Sequence, residues 1–141
     1  MLQLLDTTLR DGAQCEGITF SREDKIRIVR ALDEIGVQWI EAGNPGSNPK
    51  DKAFFEEIEN FPALKNSGLV AFGATIRPGT NPESDEALKI LSACKAQVKT
   101  VFGKSSLSQV EQVLHCTPEE NLRIIFETIS FLSSVKSASF L

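Results

Sequence analysis

Apolar residues along this chain alternate between two patterns. Short, nearly continuous apolar runs fit strands buried on both faces. Longer stretches, in which apolar residues return every three or four positions, fit amphipathic helices. The first run is LQLLDTTL, residues 2–9. A helix then opens at Ser21, whose hydroxyl can cap the N–H three positions on, with Asp24 placed for a capping box. Ile26, Val29, Leu32 and Ile35 line its inner face, and Gly36 is a natural stop.

The second run, VQWIEA at residues 37–42, closes in the turn-rich GNPGSNP. A second helix begins near Lys50 or Asp51 and carries Phe54, Phe55, Ile58 and Phe61. The third run, residues 69–76, is broken by RPGTNP. A third helix follows from about Pro82 to Cys94, with Ala87, Leu88 and Leu91 inward. Residues 98–102 (VKTVF) make a fourth strand. A long polar connection leads to TPEE at Thr117, a helix start with proline in the first turn. Leu122, Ile125, Ile129 and Leu132 continue that helix as its apolar stripe.

Four strand–helix units predict an α/β fold with a parallel sheet. An open doubly wound sheet and a closed barrel both satisfy the alternation. A complete (β/α)₈ barrel takes about 250 residues, so the 141 residues here hold about half of one. They are expected to form one partial barrel domain over residues 1–141, with no linker or second domain.

Composition narrows the function. With 41% hydrophobic and 24% charged residues the chain has ordinary globular character. A net charge of −4 makes nucleic acid and anionic membrane poor partners. No apolar run is long enough for a membrane span, and MLQLLDTT does not read as a signal peptide. Cys15, Cys94 and Cys116 are irregularly spaced, which predicts reduced thiols in a cytoplasmic protein and no cysteine metal site.

In parallel α/β sheets chemistry gathers beyond the carboxyl ends of the strands. Arg10, Asp11 and Gln14 follow the first strand, Glu41 and Asn44 the second, Thr75 and Arg77 the third, and Gly103, Lys104, Ser105 and Ser106 the fourth. Arg10 and Asp11 could form a structural ion pair, but such pairs are poor sources of stability when buried. A carboxylate suits a hard divalent cation, and a guanidinium fork suits a developing oxyanion. Glu41 could cap a helix, pair with a base, or orient Arg10 or a metal. The glycines of EAGNPGSNP allow a close ligand approach, without a phosphate-loop spacing. His115, the sole histidine, reads as a surface loop residue.

DTTLRDGAQ, IEAGNPGSNPKD, FGATIRP, TVFGKS and TPEENLRIIFETISFL occur in that order. Together they resemble the catalytic barrel of the pyruvate carboxyltransferase, or isopropylmalate synthase-like, superfamily, and within it the (R)-citramalate synthase branch. The resemblance spans Leu4 to about Leu132 and implies the N-terminal half of a TIM (β/α)₈ barrel. It implies an acyltransferase that condenses acetyl-CoA with an α-keto acid, here pyruvate, in branched-chain amino-acid (isoleucine) biosynthesis. Mn²⁺, Mg²⁺ or Zn²⁺ would hold the keto acid, with Asp11 as a ligand. Arg10 would polarise the carbonyl, Glu41 would line the pocket, and Gln14, Thr75 and Arg77 would contact substrate.

The family's late His-x-His pair and its strand-five glutamate are not in these 141 residues. The chain is therefore expected to be a truncation, a fragment or a half-barrel product that is inactive alone. The resemblance implies a homodimer for the full-length enzyme and small molecules as its partners. Isopropylmalate or homocitrate synthase and a hydroxymethylglutaryl-CoA-type lyase are the enzymatic alternatives. The non-catalytic alternative is a half barrel that self-associates through its open strand edges.

Overall fold

The computed structural model describes residues 2–60 and 62–135. Four parallel strands lie side by side in chain order: β1 (Leu5–Asp6), β2 (Trp39–Glu41), β3 (Gly68–Ala74) and β4 (Val98–Phe102). Helices α1 (Arg22–Glu34), α2 (Pro49–Glu57) and α3 (Glu86–Ala93) connect them, and α4 (Leu107–Gln112) and α5 (Pro118–Ser134) follow β4. Among the described residues no helix is long and apolar enough to cross a membrane.

Register decides which side chains meet. Glu41 stands beside Val70 and Val70 beside Val98, while Phe72 stands beside Thr100. Side chains alternate between the faces of a strand, so Glu41, Val70, Phe72, Val98 and Thr100 share one face. The opposite face takes the helices. Ile40, Leu69 and Ala71 join Phe54, Phe55, Leu88, Leu91 and Ile124 in a buried core. A Cβ on Gly73 would lie 2.5 Å from Leu91 Cδ2, so glycine lets α3 sit close to the sheet.

Caps hold the helix ends. Ser21 and Asp24 form a reciprocal capping box on α1. Asn48 accepts from the Lys50 N–H at the start of α2, and Asp85 caps α3. Thr117 caps α5 ahead of Pro118.

Several expected elements differ. The first strand ends at Asp6, well before residue 9. The Thr7 carbonyl accepts the N–H groups of Arg10, Asp11 and Gly12, and Asp6 accepts from the Thr8 N–H and hydroxyl, so the chain turns there. The second strand is shorter than residues 37–42, and the third ends at Ala74. The third helix is split: a 3-10 turn at Pro82–Ser84 precedes α3, because Asp85 leaves helical geometry to cap it. The polar connection contains α4. Ile35 is 76% exposed at the end of α1. The inner face of α5 carries Asn121, Ile124, Thr128 and Leu132, whereas Leu122 and Ile129 are exposed. Phe61 lies outside the described residues.

Candidate functional site

The turn after β1 lifts Arg10 to the carboxyl end of the sheet. Its guanidinium lies 4.3 Å from the centre of the Phe72 ring, a cation–π distance. Its Nε donates to Glu41 Oε2 at 2.6 Å and its Nη1 to Asp11 Oδ1 at 2.8 Å. Nη2 makes no hydrogen bond among the described residues. Two of the three guanidinium nitrogens are thus held by carboxylates, and Nη2 is left to an oxygen outside the pair.

The two carboxylates differ sharply in exposure. The Glu41 side chain is 3% exposed and the Asp11 side chain 63%. Glu41 is the last residue of β2 and points to the face shared with Thr100, whose hydroxyl donates to Glu41 Oε1 at 2.8 Å. Both oxygens of this buried acid therefore have partners, as a buried charge requires. Asp11 Oδ2 has no hydrogen-bond partner among the described residues.

Arg10 and Gln14 line a cavity of about 260 Å³ with Asn44, Ser47, Lys25, Asp51 and Phe72 among its other walls. Thr75 and Arg77 line a second cavity of about 300 Å³, with Lys104 and Phe102. Asn44 and Ser47 border both. The structure therefore brings Arg10, Asp11 and Glu41 into one hydrogen-bonded group with Gln14 at its cavity. Thr75 and Arg77 stand in the neighbouring hollow and make no hydrogen bond to that group. His115 is an exposed loop residue with φ 53°.

Among the described residues no three His, Cys, Asp or Glu side chains gather as a metal site would require. Glu41 is already spent on Arg10 and Thr100. Asp11 is the single hard oxygen donor of the group that is open to a cation, so these residues fit a divalent ion in part only.

Thr100, Phe72, Lys25 and Asp51 were not among the residues expected from sequence. Only the register of β4 against β3 places Thr100 under Glu41, and a linear pattern does not reveal register.

The HMGL-like family pattern matches residues 1–139. The chain belongs to the HMGL-like family. It is 46% identical to the (R)-citramalate synthase of Geobacter sulfurreducens over 95% of its own length and 25% of that protein. It is 31% identical to the homocitrate synthase of Sulfurisphaera tokodaii over 93% of its length and 27% of that protein. This HMGL-like chain thus spans about a quarter of the curated relatives it matches. Among solved structures, hydroxymethylglutaryl-CoA lyase from Pseudomonas aeruginosa superposes with a TM-score of 0.72 at 18% identity, covering 98% of this chain and 44% of that one. The HMG-CoA lyase from Brucella melitensis gives 0.68 at 19% identity. The fold is accordingly the N-terminal portion of a TIM barrel, four of its parallel strands with their helices.

Proposed function

We propose that this chain is the N-terminal part of an acyltransferase that joins the acetyl group of acetyl-CoA to pyruvate, giving citramalate and CoA. The observation that carries the reading is the Arg10 guanidinium, held at Nε by Glu41 and at Nη1 by Asp11 and resting on Phe72. The greater identity to (R)-citramalate synthases than to homocitrate synthases supports pyruvate as acceptor.

The chemistry asks for such a group. The methyl carbon of acetyl-CoA, having lost a proton, attacks the keto carbon of pyruvate. The carbonyl oxygen gathers negative charge, and water then cleaves the thioester to release CoA. A fixed guanidinium N–H aimed at that oxygen stabilises charge as it develops, with no reorganisation at the moment of reaction. Glu41 holds Arg10 in orientation, and Thr100 holds Glu41. Asp11 would give one oxygen to Mn²⁺, Mg²⁺ or Zn²⁺, which when bound would polarise the keto acid as a Lewis acid. Gln14 would line the acceptor's cavity, and Thr75 and Arg77 the hollow beside it. The active protein is a longer chain, a homodimer in the cytoplasm.

A chimera tests the reading. Residues 2–132 of this chain replace the matching segment of the Geobacter sulfurreducens enzyme, and CoA release is followed with acetyl-CoA and a divalent cation. Release that depends on pyruvate and not on 2-oxoglutarate is expected. Release with 2-oxoglutarate alone would reassign the acceptor, and a folded chimera with no release under either acid would refute the acyltransferase reading.

A further inference from the structure

In the wall of the cavity that Arg10 lines is a second ion pair that the proposed chemistry does not use. Lys25 of α1 and Asp51 of α2 are each 6% exposed and bonded to one another. Lysine and aspartate are almost never this buried unless paired. Their remaining polar atoms go to one short segment. Lys25 Nζ donates to the Ala42 carbonyl at 2.9 Å, and Asp51 Oδ2 accepts the Asn44 N–H at 2.8 Å. Gly43 sits between at φ 142°, and any Cβ there would overlap the Asp51 carboxylate. The Gly43 carbonyl in turn accepts the Phe72 N–H at 2.9 Å.

Residues 42–44 follow Glu41 directly, and Phe72 carries the ring under Arg10. The pair thus grips the backbone joining the two groups that hold the guanidinium. A buried ion pair gives little net stability, because desolvation offsets its attraction. What this one does supply is a fixed path for residues 42–44. We propose that Lys25 and Asp51 are positioning residues, setting the orientation of Arg10 through the Ala42–Asn44 backbone. The inference rests on reading Arg10 as the substrate-facing group, but its test needs no turnover and can fail while that reading stands.

The readout is hydrogen exchange at the Arg10 Nε–H and the Asn44 amide, followed by NMR in the 141-residue chain. In the unaltered protein the two should open together, with rates that rise in parallel as urea is added. Lys25→Met should speed exchange at Arg10 Nε–H about tenfold or more, the scale of one lost hydrogen bond to a charged group. Asp33→Asn is the control. Asp33 is also a buried acid on backbone N–H groups, but it anchors residues 65–67, away from Arg10. Once the change in overall stability read from urea denaturation is subtracted from both variants, it should leave Arg10 within about twofold, since it shares no partner with it. If Lys25→Met changes Arg10 no more than Asp33→Asn does, the pair is only a strut between α1 and α2 and the proposal fails. If Lys25→Met does not fold, the unaltered protein decides: independent opening of Arg10 and Asn44 overturns the proposal.

Discussion

The Thr100 hydroxyl reaches Glu41 across the third strand and donates to its Oε1 at 2.8 Å, while Arg10 holds the other oxygen at 2.6 Å. One carboxylate therefore joins the turn after β1 to β2 and β4. Thr100→Val keeps the shape and removes the donor, leaving a buried carboxylate oxygen unpaired. Urea denaturation should show a loss of about 1–3 kcal/mol. Thr100→Ser should restore most of it.

Arg10 and Glu41 depend on each other unequally. Arg10→Met leaves the Glu41 charge buried without its cation, and should cost about 3 kcal/mol. Adding Glu41→Gln removes the stranded charge, so the double variant should regain about half of that loss. A double-mutant cycle by urea denaturation checks this. Strict additivity would mean that the pair is not coupled.

Acid should weaken the chain through Asp33. Burial pushes its carboxyl up, but the backbone N–H groups of Lys65, Asn66 and Ser67 outweigh that and hold it below the usual aspartate value. A group held low in the folded state contributes stability that is complete above the unfolded value. That stability is lost as pH falls through the folded one. The decline should begin near pH 4, about the unfolded aspartate value. Asp33→Asn should be less stable at neutral pH and show a shallower acid limb in thermal melts from pH 2 to 7.

The two sides of α5 should respond oppositely to truncation. Ile124 is fully buried, and Ile124→Ala should cost about 2–5 kcal/mol. Phe126 is 73% exposed, and Phe126→Gln should stay within about 0.5 kcal/mol in the 141-residue chain. Thr128 accepts the Ile76 N–H at 3.1 Å, so Thr128→Val should cost about 1–3 kcal/mol despite its similar shape.

Local chemistry was legible in the sequence where it acts locally. Ser21 with Asp24, and Thr117 with Pro118, marked real helix starts, and VKTVF marked β4 to the residue. What involved a third dimension was not. Leu122, Ile125, Ile129 and Leu132 looked like the inner stripe of α5, yet its buried face includes the polar Asn121 and Thr128, which bond Lys104 O and the Ile76 N–H. Hydrophobic periodicity cannot register a core position filled by a hydrogen-bonded polar side chain. The rim was readable because each strand's carboxyl end has polar residues. That Arg10 meets Glu41, 31 positions away, while Thr75 and Arg77 face a separate hollow, follows from the turn at Thr7 and from strand register.

The most direct measurement of the central claim compares Arg10, Arg10→Lys and Arg10→Met in the chimera with the Geobacter sulfurreducens enzyme. If the guanidinium stabilises the developing alkoxide, kcat should fall about 10²–10³-fold in both variants. Lysine should not rescue the rate, because it lacks the fork that reaches Glu41, Asp11 and substrate at once. A kcat within about twofold of the unaltered chimera in Arg10→Met, with the fold intact, would contradict it.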